Sequence, residues 1–264
     1  MKQTFAKSMI LTAFLFLVIG MNLLFAQTDS ASVKSISKPG KYLVKVNLLG
    51  IPLNNYSFQF ERAIAKKIVF GLGVRYAPNS GVPFSSQAER LIDDQEAWNQ
   101  IKNFKTGNLA ISSEFRFYMG KGVFRGFYVA PFARYTKYTA ECPLNFEVPS
   151  STDEDEFIAV VIPLIGDLTT LTGGLLLGVQ WKLSKSFYLD WSILGPQYGT
   201  SKGSISGKKN LSSDEQDAIR DELANLDDLP LLETIYTVDN NGAKVDFKGP
   251  WAGIRFGFSL GVRF

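Results

Sequence analysis

The sequence predicts an all-β fold in which eight antiparallel strands, connected in up-and-down order, close into a barrel. The first observation is the final stretch, Trp251–Phe264, where apolar residues alternate with glycine, serine and arginine. Because strand side chains point to opposite faces in turn, this alternation predicts a strand with one apolar and one polar face. Seven earlier stretches repeat the pattern. The connections after the second, fourth and sixth stretches are tight, whereas those after the third, fifth and seventh are long.

The N-terminal segment is predicted to direct export. Lys2 and Lys7 precede an apolar stretch, Met9–Phe25, and cleavage is expected after Ala26. Residues 1–26 are therefore interpreted as a signal peptide. An uncleaved membrane anchor is the alternative, because the apolar stretch is rather long.

The rest of the chain divides into a leader and the barrel. Residues 27–40 are polar and serine-rich, which predicts a flexible leader, and residues 41–264 are expected to form the barrel. No apolar run of about 18 residues follows the signal peptide, so the sequence predicts no membrane-spanning helix there. If the mature protein lies in a membrane, only a closed barrel can satisfy its backbone hydrogen bonds.

The first three predicted strands are closely spaced. They span Lys41–Leu49, Tyr56–Ile64 and Lys67–Tyr76. In the second of them Phe58 and Phe60 alternate with polar residues. The second and third strands are separated by only a tight turn, which makes them a hairpin.

A long insert at 77–105 separates the third and fourth strands. Ser86 and Glu89 have the spacing of a helix capping box, so we expect a short helix in this insert. The fourth strand is predicted at Thr106–Met119, and the fifth runs from Arg125 past Tyr138.

The segment beyond Tyr138 is predicted to be a hairpin that projects above the barrel. Its tip, Pro149–Glu156, is acidic, and the apolar stretch Phe157–Ile165 returns from it. The acidic residues at 153–156 lack the spacing of a calcium-binding loop, so a solvated tip is expected rather than a metal site.

The sixth and seventh strands are predicted at Asp167–Leu183 and Phe187–Tyr198. The insert that follows, Gly199–Gly249, contains two local signals. Ser212 and Glu215 predict a capped helix, and Asn240-Asn241-Gly242 predicts a hairpin turn. The eighth strand is the final stretch of the chain.

The large apolar faces are predicted to point outward, toward lipid. A soluble barrel would turn its apolar face inward, but an eight-stranded interior is too narrow for aromatic residues on every strand. The opposite face carries glycine, serine and charged residues, which suits a polar lumen. Aromatic residues near strand ends are typical of interfacial girdles. These girdle candidates are Tyr42, Tyr56, Tyr76, Trp181, Phe187, Trp251 and Phe264.

The fold class is accordingly a transmembrane β-barrel with short helices in its extracellular loops. Strands of about 9–11 residues are long enough to cross a bilayer at a tilt. Short turns on one side and long loops on the other match the periplasmic and extracellular ends of outer-membrane barrels.

Charged residues of the polar face are predicted to form a structural ion network in the lumen. A buried charge without a partner is expensive, so acids and bases there should pair. Bases outnumber acids, however, and the excess positive charge could instead attract an anion. The predicted members are Lys45, Glu61, Arg75, Glu114, Arg116, Arg134, Lys182, Asp190, Arg255 and Arg263.

Composition excludes several function classes. The chain has no His, which removes Ser-His-Asp and Cys-His catalysis and imidazole metal sites. Its single Cys, Cys142, permits no intramolecular disulfide. A balance of 28 basic and 25 acidic side chains does not favour nucleic acid as a partner. We expect no catalytic residue, no cofactor and no metal.

Several stretches resemble the walls of small bacterial outer-membrane β-barrels. They are Lys45–Leu48, Phe58–Arg62, the residues around Gly174–Leu183, and Gly249–Phe256. The chain is similar in architecture to the OmpA transmembrane domain, and more closely resembles outer-membrane β-barrel families of unknown function. The resemblance implies location in the bacterial outer membrane, with outer-membrane lipid as a partner. The final aromatic residue, Phe264, resembles the terminal signal of such barrels, which implies recognition by the barrel-insertion machinery.

Three functions remain open at this stage. The first is a non-enzymatic barrel, structural or surface-binding through its long extracellular loops, whose extracellular ligand or protein partner the sequence does not name. The second is a small-solute or anion transport barrel that uses the basic lumen. The third, a lipid-modifying enzyme, ranks last because barrel enzymes of that kind rely on a catalytic His.

Overall fold

The computed structural model describes residues 40–90, 98, 102–120, 122–149, 157–224 and 233–264. The predicted signal peptide, nearly all of the leader and the acidic run at 153–156 lie outside these residues. Nine strands are present in the described chain: β1 Tyr42–Asn47, β2 Tyr56–Ala63, β3 Ile68–Ser80, β4 Lys105–Tyr118, β5 Gly126–Pro149, β6 Phe157–Lys182, β7 Phe187–Lys208, β8 Glu233–Asp239 and β9 Gly242–Arg263.

Eight of these strands close into a ring. Each strand from β1 to β7 pairs antiparallel with its sequence neighbour, β7 pairs with β9, and β9 pairs with β1. The predicted all-β barrel of eight up-and-down strands is therefore confirmed. The remaining strand, β8, lies outside the ring and pairs with the upper part of β9. The turn predicted at Asn240–Gly242 joins β8 to β9 and is also confirmed.

Both ends of the barrel domain meet at one rim. The backbone N–H of Tyr42 donates to the carbonyl of Phe264 at 3.1 Å, and Phe264 donates back at 3.0 Å. The compact turns at 64–67, 119–125 and 183–186 lie at this same rim. The long connections after β3 and β7 lie at the opposite rim, as predicted. The predicted long loop after the fifth strand is instead mostly strand, because β5 and β6 continue to Pro149 and from Phe157. We call the two ends the short-turn rim and the long-loop rim.

The barrel wall has very unequal heights. β1 has 6 residues and β2 has 8, whereas β5, β6, β7 and β9 have between 22 and 26. At about 3.3 Å per residue, the longest strands extend over roughly 70–85 Å. Together with β8 they form a tall sheet above the long-loop rim, which we call the raised wall.

The raised wall corrects two predicted boundaries. The seventh strand was expected to end at Tyr198 and the eighth to begin at Trp251, with a long insert between them. The two strands instead remain paired up to Lys208 and Gly242. The added part of β7, Gly199–Lys208, has Ile205 as its one large aliphatic or aromatic residue, so periodicity alone did not reveal a strand held there by backbone ladder hydrogen bonds.

The wall of β7 contains a β-bulge. The register shifts between Ser192 and Leu194 against β6 and between Ser192 and Gly195 against β9. Ile193 and Leu194 consequently both face outward. The bulge re-aims the strand, and Gly195 returns to the inner face.

Two short α-helices occupy the described loops. α1 spans Ser85–Glu89, which confirms a helix in the 77–105 insert, although most of that insert after Arg90 lies outside the described residues. α2 spans Ser213–Ala224 and begins with the predicted capping box, because Ser212 and Glu215 exchange backbone-to-side-chain hydrogen bonds of 2.8 and 3.3 Å.

The Lys209 ammonium donates to the Glu215 carboxylate at 2.6 Å, and this bond holds the pKa of Glu215 below its ordinary value. In the described chain, no helix has the length and apolar character to span a membrane.

Two glycines of β6 provide a test of which face is packed. A Cβ at Gly178 would overlap the Tyr128 ring and lie 2.8 Å from the Trp191 carbonyl oxygen, whereas one at Gly173 would meet only the Phe132 carbonyl oxygen at 3.8 Å. We expect Gly178→Ala to lower the free energy of unfolding by about 1–3 kcal/mol through overpacking. Gly173→Ala, the matched control, should leave the free energy of unfolding nearly unchanged; urea titration of both folded variants measures the difference. Equal effects would contradict the packing described here.

Candidate functional site

The candidate site is a cluster of charged side chains that fills the middle of the barrel. β1 contributes Lys45, β2 contributes Glu61, β4 contributes Glu114 and Arg116, and β7 contributes Asp190. All five side chains are 1% exposed or less. Strand alternation directs them inward, because each follows or precedes an outward apolar residue on its strand. We call these five residues the ion cluster.

Arg116 is the centre of the ion cluster. Its guanidinium lies 2.7 Å from Asp190, 3.0 Å from Glu61 and 2.5 Å from Glu114. Lys45 contacts both Asp190 and Glu61. Glu61 is held by these charge contacts rather than by aligned hydrogen bonds, since neither of its oxygens has a well-directed donor among the described groups. The Arg116 guanidinium also lies 4.3 Å from the centroid of the Tyr128 ring, a cation–π distance.

Arg255 extends the ion cluster toward the long-loop rim. Its guanidinium donates to Glu114 at 2.6 Å, and the side-chain amide of Gln59 donates to the same carboxylate at 2.6 Å. Three bases, Lys45, Arg116 and Arg255, thus face three acids, and the charges of this network balance. Dense pairing of this kind is what a low-dielectric interior requires.

The other predicted members lie outside this network. Arg263 lies near the short-turn rim, where it donates to the Gly40 carbonyl at 2.7 Å and to the Tyr188 hydroxyl at 2.9 Å. Lys182 lies opposite Tyr188 at the end of β6 and is exposed. Arg75 and Arg134 lie above the ion cluster, on the side of the long-loop rim. The position of Lys182 corrects its predicted place in the lumen network, because the end of β6 exposes its side chain. Strand parity alone does not tell which of the predicted charges meet.

An aromatic plug that the sequence analysis missed closes the barrel below the ion cluster. Tyr118, Phe124, Tyr128 and Tyr188 are each 3% exposed or less, with ring centroids 5.5–6.4 Å apart in the contacting pairs. Phe124 enters from the β4–β5 turn with a φ of 61°. The sequence does contain a signal for the plug. The three tyrosines occupy inward-facing positions of their strands, next to outward-facing aromatic residues such as Phe117 and Phe127.

The plug is hydrogen-bonded to the charged layer above it. The Tyr128 hydroxyl donates to Asp190 at 2.9 Å, and the Tyr118 hydroxyl donates to Gln180. These bonds give each buried hydroxyl a partner. At the level of the ion cluster and the plug, described side chains fill the cross-section of the barrel.

Among the described residues, two cavities face the lumen above the ion cluster. The smaller has a volume of about 30 Å³ and is lined by Arg75, Arg134 and Arg255 together with polar side chains. The larger, about 390 Å³, lies at the inner surface of the raised wall and is lined by aromatic and aliphatic residues. We call them the arginine cavity and the mouth cavity. The mouth-cavity lining includes Asn108, Tyr138, Leu168, Ile205, Phe247 and Trp251.

Trp251 corrects one predicted position. It was expected in an outward aromatic girdle, but it lines the mouth cavity, and its ring lies 5.8 Å from that of Tyr138. It shares parity with Gly253 and Arg255, so it belongs to the inner face of β9. The two rings come from strands that are not neighbours in the sheet and therefore meet across the lumen.

Comparisons with protein-family models and with curated proteins found no match for this chain. The class of the protein is therefore defined by its own structure. It is an all-β protein with a closed ring of eight antiparallel strands and a salt-bridged interior.

Removing one base from the ion cluster should be far more costly than removing a surface base. Lys45→Met leaves Glu61 and Asp190 short of a buried counter-charge, so we expect the free energy of unfolding to fall by about 3–5 kcal/mol. Lys248→Met removes an exposed pair with Glu233 at 3.2 Å and should cost less than about 1 kcal/mol. Urea titrations of both variants, followed by tryptophan fluorescence, measure the difference. A loss of under about 1 kcal/mol in Lys45→Met would contradict a stabilising role for the cluster.

Proposed function

We propose that this protein is a non-enzymatic barrel of the bacterial outer membrane whose raised wall and loops form an extracellular binding surface. The observation that carries the proposal is a belt of exposed, large apolar side chains around the ring. Its members include Phe58, Leu72, Val74, Ile111, Phe115, Phe117, Phe127, Leu175, Leu177, Trp191, Ile254 and Phe256, each at least 45% exposed.

The size of this belt supports contact with lipid. Soluble monomers rarely expose continuous apolar patches of more than a few hundred Å². Here the apolar side chains lie on the outside of the ring while lysine, arginine and carboxylates fill its interior. Soluble proteins have the reverse arrangement, with apolar side chains inside and charged side chains outside. The arrangement seen here is favourable when hydrocarbon surrounds the barrel.

The height of the belt supports a bilayer in particular. It runs from Leu109 to Phe117 on β4 and from Leu171 to Trp181 on β6. Both spans match the roughly 9–11 residues that a tilted strand uses to cross the hydrocarbon core. Tyr56 and Tyr76, paired across β2 and β3, form part of the upper border, as aromatic girdles do.

Binding, rather than passage, is the activity that the interior supports. The lumen is filled at the ion cluster and the plug, and eight-stranded barrels are normally packed with side chains. The mouth cavity of about 390 Å³ falls within the range of ligand pockets and has aromatic walls on a rigid scaffold. Because the chain has no His, the commonest general base is absent from any catalytic scheme.

The first test is the location and heat-modifiability of the protein. Expressed in a bacterium with two membranes, it should fractionate with the outer membrane and migrate faster on gels before boiling than after. Recovery in the soluble fraction, with no shift on boiling, would overturn the proposal.

A matched pair of variants tests the belt itself. Phe256 and Ile235 are 67% and 73% exposed, but only Phe256 lies in the belt, whereas Ile235 lies on β8 in the raised wall. We expect Phe256→Arg to destabilise the lipid-embedded barrel by about 2–4 kcal/mol and to reduce folded protein in the membrane. Ile235→Arg should have little effect on either quantity. Equal tolerance of the two changes would argue against lipid contact at the belt.

Planar-bilayer recording distinguishes the transport alternative. A filled lumen predicts the absence of discrete conductance steps from purified protein. Reproducible anion-selective steps would favour transport through the basic lumen over the binding function.

A further inference from the structure

We propose that the arginine cavity binds a small inorganic anion of halide size, such as chloride, between Arg75, Arg134 and Arg255. The proposal depends on the geometry of the barrel interior and is independent of the membrane in which the barrel resides.

The first argument is the distribution of charge. The three bases and three acids of the lower network balance one another, and Arg255 reaches the cavity while paired with Glu114. Neither Arg75 nor Arg134 lies within ion-pair distance of a carboxylate in the described part of the chain. The Nε of Arg75 donates to the neutral amide oxygen of Asn108 at 3.0 Å. The cavity thus concentrates positive charge that the protein itself does not neutralise.

The second argument is an unsatisfied donor. Arg134 is only 8% exposed, and its buried Nε has no hydrogen-bond partner among the described groups. Arginine is charged at neutral pH, so the group does not escape this cost by losing its proton there. An anion in the cavity would supply both the missing acceptor and the missing counter-charge.

The third argument is size. The cavity volume of about 30 Å³ equals roughly the share of one molecule in liquid water. That volume suits a single ion of halide size. Ser57, Gln59 and Ser112 also line the cavity, and their hydroxyl and amide groups can donate hydrogen bonds to a halide. The Glu114 carboxylate would repel the anion, but its negative charge is compensated by ion pairs with Arg116 and Arg255.

The route into the cavity is set by the same geometry. The ion cluster and the aromatic plug occupy the lumen below, so the anion would enter from the long-loop rim. Asn108 lines the mouth cavity and accepts the hydrogen bond of Arg75, which places the two cavities next to each other. The positively charged side chains of the arginine cavity would attract anions through the mouth cavity.

The test compares thermal unfolding of the purified barrel in chloride and in gluconate, an anion too large for the cavity, at equal ionic strength. We expect chloride to raise the unfolding midpoint saturably, by about 3–6 °C at ten times its dissociation constant. Arg134→Gln should abolish the rise. Arg125→Gln, which removes an exposed arginine in the β4–β5 turn, should retain it.

A second measurement keeps the proposal falsifiable if Arg134→Gln does not fold. Crystals of the unmodified barrel grown in bromide should show an anomalous scattering peak between the three guanidinium groups. The absence of that peak, equal midpoints in chloride and gluconate, or a chloride effect that survives in Arg134→Gln would each overturn the site. A failed membrane-fractionation test would leave this result unaffected, because the binding test uses the folded barrel in detergent.

Discussion

The pairing of Arg116 with three carboxylates is the interaction on which the rest of the barrel interior depends. A guanidinium at the centre of a narrow cylinder has no access to bulk water, so its charge must be compensated by neighbouring side chains. Glu61, Glu114 and Asp190 supply that compensation from β2, β4 and β7, and Lys45 from β1 balances two of them. One network therefore joins strands from across the ring, in addition to the backbone ladder that joins neighbours.

This interior and the exterior belt are two results of the same alternation. Six of the eight ring strands, β1, β2, β4, β5, β7 and β9, place residues in the network or the plug and the adjacent residues on the outer surface. Shifting any strand by one residue would exchange a buried charge for an exposed aromatic, so the register is fixed from both sides. The bulge at Ile193 and Leu194 interrupts this alternation. Gly195, which pairs with Arg255 of β9, faces inward again and restores it.

The sequence predicted most of the barrel because the alternation of large apolar residues with polar residues along a strand is a strong local signal. It identified all eight strands of the ring, the tight turns and the capping box at Ser212. It failed where the signal is absent or non-local. The upper part of β7, around Gly199–Lys208, has no large apolar face, and β8 forms only because β9 offers an edge on which it can pair.

The sequence predicted six of the residues that form the network, but it also included four that lie outside it, and it did not predict the geometry. Parity alone placed Arg116 and Arg263 on the same inner face, although one lies in the ion cluster and the other lies against Phe124 and Tyr188. Depth along the axis depends on strand stagger, which no single strand encodes. The same limit explains Trp251, whose position near a strand end indicated a girdle while its parity placed it inside.

The unequal wall heights have a directional consequence. β1 and β2 end near the rim, while β5 to β9 continue far above it, so the opening is cut obliquely rather than level. Among the described residues, the mouth cavity is therefore bordered by the raised wall on one flank and by the much shorter strands β1 and β2 on the other. We therefore expect a partner to approach the mouth cavity from the side of β1 and β2. A macromolecule would reach the cavity from that side without passing through a closed opening.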